Sequence, residues 1–358
     1  MVDWLSSMQQ TYEYYVVDPG TWRDVKRLDY VKSCTINRDS EVETLGSATI
    51  DVTDSIGECY VRAYLVTIQN GIKDSHPLGT FLVQTPSWSF DGKIRDTSVD
   101  AYTPLLELKE NPPPLGYSIL KGENIMQNAY RITREKARAP VVSTDCSTKL
   151  FSDFVANTDD TWLSFLTDLL ANAKYTFALD ELGRILFSPK QDMASLQPVW
   201  EYADNDRSIL YHEVSVDRDL YGIPNVVEVV YSDNHTNCSV RVVNDDPNSL
   251  VSTVSRGREI VHRITDPELV DIPDLVYKSV KEQVKDYAEQ LLRELSTLEC
   301  TVKYTHGYCP VRLGDCVRIN YSRAGLNGVK AKVISQTIKC EPGCPVTEKA
   351  VFTAKLWR

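Results

Sequence analysis

Four cysteines near the C-terminus, Cys309, Cys316, Cys340 and Cys344, are the residues best placed by type and spacing to hold a metal. Thiolates on two adjacent hairpins could converge on one tetrahedral ion, and the segment Cys340-Glu341-Pro342-Gly343-Cys344 must bend tightly. The spacing is not that of a recognised zinc knuckle. Buried or free thiols are therefore the simpler account beside structural zinc or an iron–sulfur cluster, and no cofactor is expected. His306 and Cys309 contain the two groups of a cysteine hydrolase, but that chemistry needs a third group to orient the imidazole, and none is marked in the sequence. Asp153, Asp159, Asp160 and Asp168 are carboxylates of the kind glycan cleavage uses, and helix caps and a solvated face explain them more simply. The remaining histidines, His76, His212, His235 and His262, lie at no ligand spacing with one another or with His306. The G-x-S-x-G, H-E-x-x-H, G-x-x-x-x-G-K-[ST] and G-x-G-x-x-G patterns do not occur. A second kind of candidate is the aromatic start, Trp4, Tyr12, Tyr14 and Tyr15 before Pro19-Gly20, which has no period long enough for a core element. It is expected to be an arm that wraps onto a neighbouring subunit, where aromatic anchors are favoured.

The elements that position these residues are bounded by composition. A chain of 358 residues exceeds what one core usually serves, so two or more packed units are expected. Hydrophobic residues at 42% and charged residues at 25% are ordinary globular values, and no apolar run approaches the roughly 20 residues of a membrane span. Met1 to Gln10 lacks the basic and apolar regions of a secretory signal, so the protein is expected to be made and kept in a cytoplasm. Nine cysteines, an odd number scattered from Cys34 to Cys344, read as free thiols. The net charge of −11 with no Lys/Arg cluster argues against sequence-specific nucleic-acid binding. An acidic wall would instead repel a phosphate backbone passing along it.

Along the chain, residues 1–20 form the aromatic arm and residues 21–110 a β-barrel-like domain. The latter has candidate strands at Val31–Ile36, Ala48–Val52, Tyr60–Ile68, Thr80–Gln84 and Ile94–Tyr102, punctuated by Gly46, Gly57, Gly71 and Asp91-Gly92. Pro112-Pro113-Pro114 marks a stiff link within a mixed α+β region, 111–206. There Asp160-Thr161 caps an apolar stripe of Trp162, Phe165, Leu166, Leu169 and Leu170, and Tyr175–Leu179 and Arg184–Phe187 read as a hairpin around Asp180–Gly183. Strand patterns at Glu213–Asp217, Asn225–Tyr231 and Ser239–Val243, with the stretch from Leu298 to Trp357, suggest a second, discontinuous β-domain of residues 207–245 and 298–358. A helical insertion, 246–297, interrupts it, with an amphipathic helix from Asp274 to Leu295. The strand-turn-strand runs after Leu82 and after Val333 echo one another, which nudges the reading toward two related β-domains. The fold class is α+β and β-rich: two barrel-like domains, one discontinuous, plus mixed and helical domains.

Three stretches resemble the baseplate hub family of tailed bacteriophages, which includes the hub of contractile tails and the tail-associated-lysin-like part of siphophage tail tips. Trp162–Leu170 followed by Phe177–Ile185 is similar to the family's helix and hairpin with a D-x-x-G turn. Pro224–Val229, continuing through Asn248–Ser255 into Gly257-Arg258, is similar to its strand and following loop, and Pro310–Val317 to its P-x-x-L-G-D-x-V turn. The likeness runs in order along nearly the whole chain. It implies a structural protein and not an enzyme, a homotrimer in the virion tail tip or baseplate. Two similar barrels in three copies would offer six similar units to a tail-tube or distal tail protein, and a three-fold end to a central fibre or spike. The hub would line or close the tail channel, with the tape-measure protein as a partner. The chain stops at Arg358, after the last hub strand, so no appended peptidase or fibre domain is expected. The rival readings are a tail-associated cell-wall hydrolase and a host-binding adhesin module.

Overall fold

The computed structural model describes residues 2–90, 92, 95–191, 193–232, 237–265 and 279–357. The first seven strands are β1 (Gln9–Val17), β2 (Asp24–Arg27), β3 (Val31–Asp39), β4 (Gly46–Val52), β5 (Tyr60–Gln69), β6 (Ile72–Phe90) and β7 (Arg95–Tyr102). Strict period-two alternation makes β4 a half-buried strand: Gly46, Ala48, Ile50 and Val52 face the core, and Ser47, Thr49 and Asp51 face outward. Asn70 and Gly71, both at positive φ, form the two-residue turn between β5 and β6, with Gln69 opposite Ile72. That turn type needs left-handed conformations, which Asn-Gly adopts readily.

A mixed region follows: α1 (Leu106–Lys109), β8 (Ser118–Ile119), α2 (Ile125–Lys136), β9 (Phe154–Val155), α3 (Trp162–Ala171), β10 (Tyr175–Leu179) and β11 (Ile185–Pro189). Thr161 and Ser164 cap α3 reciprocally, each side chain accepting from the other's backbone N–H. Six of its ten residues, Trp162, Leu163, Phe165, Leu166, Leu169 and Leu170, are buried, and they share one core with Ile125, Ile132, Leu105 and Phe177. The remaining elements are β12 (Pro198–Ala203), β13 (Leu210–Arg218), β14 (Val226–Ser232), β15 (Asn237–Val243), α4 (Thr253–Arg256), β16 (Val261–Thr265), α5 (Val280–Leu295), β17 (Thr297–Gly307), β18 (Cys316–Tyr321), β19 (Leu326–Lys339) and β20 (Pro345–Lys355).

Thirteen strands share one sheet network, in the order β13-β17-β20-β19-β3-β4-β7-β6-β5-β1-β2, with β12 and β18 branching from β19. The protein is thus β-rich with several sheets, and among the described residues none closes into a barrel. Within this network β19 pairs antiparallel with β3, Thr337 opposite Asn37, so the two ends of the chain build one sheet.

The chain divides into two units, residues 1–214 with 303–350 and residues 215–302 with 351–358. In the second, β15-β14-β16 form a small sheet, and Val284, Ala288 and Leu292 of α5 pack in one core with Val227, Val229 and Val242. Three expectations are corrected here. Residues 9–17 are not an arm: nine consecutive residues of β1 pair with β5, because alternation of Tyr12, Tyr14 and Val16 toward one face suits a strand. The strands at 226–232 and 237–243 do not join a barrel with 298–358 but cover α5, whose apolar stripe needs a sheet face. The insertion 246–297 is not wholly helical, since β16 pairs in parallel with β14. Residues 274–278 of the expected helix, His235 and Ile94 lie outside the described residues.

Candidate functional site

The densest ionisable cluster is fully buried in the first unit. Period-two alternation turns Tyr304 and His306 of β17 inward, and the same alternation in β20 places Glu348 between Val346 and Ala350. Glu348 Oε2 accepts from the hydroxyls of Tyr304 at 2.6 Å and Tyr202 at 3.3 Å. Oε1 accepts from Gln336 Nε2 at 2.6 Å and lies 3.3 Å from His306 Nε2. Gln336 Nε2 also donates to the Val311 carbonyl, and Arg38 Nη1 donates to Gln336 Oε1 at 3.0 Å. The network therefore ties β3 to β12, β17, β19 and β20.

The surroundings of His306, with Tyr202 Oη 3.0 Å from Nε2, favour the doubly protonated ring. Its Nδ1 lies 2.6 Å from the Gly307 carbonyl, which can only accept, and its Nε2 faces the carboxylate. Burial is the largest single influence and lowers the imidazole, but the Glu348 charge together with the hydrogen bonds from Cys309 and Glu348 outweighs it, and the value rises to about 10. Burial pushes Glu348 up, and the His306 charge with donated hydrogen bonds brings it below the ordinary carboxylate value. Desolvation first, then the Glu348 charge, keep the Tyr202 and Tyr304 phenols protonated, far above their ordinary value.

Cys309 completes the group, its Sγ 3.2 Å from Tyr202 Oη and 3.8 Å from His306 Nδ1. A third group beside His306 and Cys309 does exist, contrary to expectation: it is Glu348. The only signal in the sequence is an acid in phase with Val346 and Ala350 on an alternating strand, and by itself that does not mark it as buried. The arrangement still does not suit hydrolysis. The carboxylate holds the imidazole as a cation rather than a base, and Cys309 is only 2% exposed. Two open grooves, of about 460 and 370 Å³, are lined by neither His306, Cys309 nor Glu348.

The four cysteines weighed as metal ligands do not meet. Cys309 belongs to the His306 cluster, Cys316 sits on β18 with its Sγ toward the Val317 carbonyl, and Cys340 and Cys344 join Cys34 and Tyr14 in another core. All nine cysteines are free thiols, and among the described residues no group of three or more His, Cys, Asp or Glu is placed to hold a metal ion. Of the aromatic candidates, Tyr14 is 6% exposed in that same core. Tyr12 donates to the Glu341 carbonyl at 2.7 Å, Tyr15 packs edge-on against Tyr64, and Trp4 packs edge-on against His76 and Tyr308. All four are anchored on this chain. Asp153 and Asp160 accept backbone N–H bonds from Lys121 and Asn157, as loop and cap residues do.

What remains for function is surface. Large apolar side chains stand exposed on the ribbon of β8 and β9 and its flanks, Leu115, Leu120, Phe151 and Val155, and on the β6–β7 hairpin, Trp88 and Phe90. No described helix is long and apolar enough to cross a membrane.

No family model and no curated protein matches the sequence. The fold, however, is shared. The crystal structure of a tail protein from Neisseria meningitidis MC58 is similar over 97% of this chain and 98% of that one, with a TM-score of 0.57 at 12% identity. The 43 kDa tail protein of prophage MuSo2 from Shewanella oneidensis is similar over 96% and 98%, with a TM-score of 0.58 at 12% identity. A chain of the Francisella PdpA–VgrG complex is similar over 98% of this chain and 53% of that one, with a TM-score of 0.53 at 8% identity. The chain has the fold of the first two over nearly the whole length of both partners, and spans about half of the chain from the PdpA–VgrG complex.

Proposed function

We propose that the chain is a structural protein of a bacteriophage tail or a related injection device, and specifically a homotrimeric hub of the tail tip or baseplate. The observation that carries this reading is the end-to-end likeness to two tail proteins, which leaves almost nothing of either chain unmatched. A buried ionisable cluster supports a non-enzymatic role, since its charges hold strands together and line neither of the two grooves described. The hub joins a six-fold tail tube or distal tail protein to a three-fold central fibre or spike, lines or closes the tail channel, and meets the tape-measure protein. An acidic chain, at a net charge of −11, suits a wall that must not retain a phosphate backbone. The assembled site is the virion tail tip, reached after synthesis in the host cytoplasm.

Native mass across a concentration series tests the proposal. A species of about three times 40.5 kDa, alone or on adding the distal tail protein, is expected. A monomer under both conditions would refute the hub. The adhesin alternative is favoured by one observation, Trp88 at 62% exposure beside the larger groove, and binding of the isolated chain to host cells would select it.

A further inference from the structure

Cysteines occur on three neighbouring strands or their ends. β19 lies between β3 and β20; Cys340 follows β19, Cys34 lies on β3, and Cys344 immediately precedes β20. Ile36 is opposite Ile338 and Thr35 opposite Lys339, and the same register carries on to Cys34 opposite Cys340. The Cys340 amide donates to the Cys34 carbonyl at 2.9 Å, so the pairing extends to this level. Both side chains belong to one core, at 2% and 9% exposure, close enough for the Cys340 thiol to perturb the Cys34 thiol. Cys344 is in the same core, but its amide donates to the Glu341 carbonyl in the turn that follows Cys340, so it is not the residue opposite Cys34 or Cys340 across the sheet.

Directly opposed residues of an antiparallel pair hold their Cα atoms about 4.5–5.5 Å apart. A disulfide spans about 4.4–6.8 Å between Cα atoms, so this bond needs no strand movement. We propose that Cys34 and Cys340 are a disulfide site that fastens β3 to β19, and so the N-terminal strands to the C-terminal ones. One thiol, as its thiolate, attacks a small-molecule disulfide, releasing one thiol and leaving a mixed disulfide. The second thiolate then displaces the other half, so two protein thiols and one external disulfide become one protein disulfide and two external thiols. The neighbouring Cys340 thiol and burial together hold the Cys34 thiol well above its ordinary value. The pair is therefore slow to react in the folded chain and stays reduced in a cytoplasm, closing when the particle meets an oxidising medium.

The test uses the full chain in two arms. One portion is held folded with oxidised glutathione at pH about 8.5, near the ordinary thiol value. The other is refolded from urea in a glutathione redox buffer, where access does not limit the reaction. Both are alkylated, digested without reduction and mapped by mass. A Cys34–Cys340 linked peptide is expected after refolding and, more slowly, in the folded arm. It should be absent in C34S, C34A and C340S and kept in C59S and C146S, and the linked chain should melt higher until reductant is added. The proposal fails if refolded chain of native circular dichroism carries Cys34 and Cys340 as free thiols or glutathione adducts, or links Cys340 to Cys344. Where refolding is poor, the folded arm decides once mild urea has opened it: Cys34 and Cys340 still free after the equally buried Cys300 and Cys316 have reacted overturns it.

Discussion

Replacing Glu348 by glutamine removes one charge from the buried network and almost no volume. In the wild-type chain the carboxylate accepts from Tyr202, Tyr304 and Gln336 and faces His306, with both His306 and Glu348 side chains fully buried. Removing one partner of such a pair leaves an uncompensated charge and costs about 3–5 kcal/mol. At 2–4 °C per kcal/mol for a unit of this size, E348Q should lower the melting temperature by roughly 6–20 °C. The loss should depend on pH in a stated direction. His306 is raised from 6.5 to about 10, so its contribution is full below its ordinary value and disappears as pH climbs through about 10. Glu348 is lowered from 4.5, so its contribution is present above that value and is lost as pH falls through the depressed one. Wild type should therefore be favoured over E348Q most strongly between about pH 5 and 6.5, and the gap should narrow toward pH 10. Urea unfolding of wild type, E348Q, H306Q and the double variant at several pH values measures this, and the double variant should lose much less than the sum of the single ones. An E348Q cost under about 1 kcal/mol, or a gap unchanged from pH 5 to 10, would refute the ion-pair account.

Three further outcomes follow from single residues. R62A should cost about 2–4 kcal/mol in urea unfolding, because buried Arg62 donates to Thr80, Asp24 and the carbonyls of Trp22 and Leu182. G183A should cost about 1–3 kcal/mol by thermal melting, since Gly183 has φ of 74° and a Cβ there would lie 2.7 Å from Thr80 Cβ. Y14A should cost about 3–5 kcal/mol and Y15A under about 1, a contrast that a strand produces and a loose arm does not.

Local chemistry made several elements legible. Gly71 after an alternating run marks a strand end, Asp160-Thr161 before an apolar stripe marks a helix start, and Asp180-x-x-Gly183 specifies a turn in which Gly183 N–H returns to the Asp180 carbonyl. The aromatic start was illegible because Trp4 to Tyr15 lacks turn punctuation, and its partner β5 begins more than forty residues later. Sequence distance also hid the cysteine neighbourhoods: Cys340 is near Cys344 in sequence, yet the residue opposite it across the sheet is Cys34, some three hundred residues away. Glu348 and Arg62 were missed because a charge inside an alternating strand reads as solvent-facing until its partners are known.

These long-range partners also explain why polar residues occupy the interior of the first unit. Arg38 meets Gln336, Asn37 meets Thr337 and Tyr12 meets the Glu341 carbonyl, each across about three hundred residues of chain. Apolar contacts alone would hold β3 against β19 in any register that hides the same face, since a slip of two residues returns every side chain to its side. A carboxylate with four donors around it tolerates no such slip, because any shift leaves buried donors unpaired. The network thus contributes register more than net stability, as buried ion pairs do elsewhere when an apolar replacement would be equally favourable. For a protein proposed to work by presenting fixed edges and faces to neighbours, an exact register between its two chain ends is the property that assembly requires.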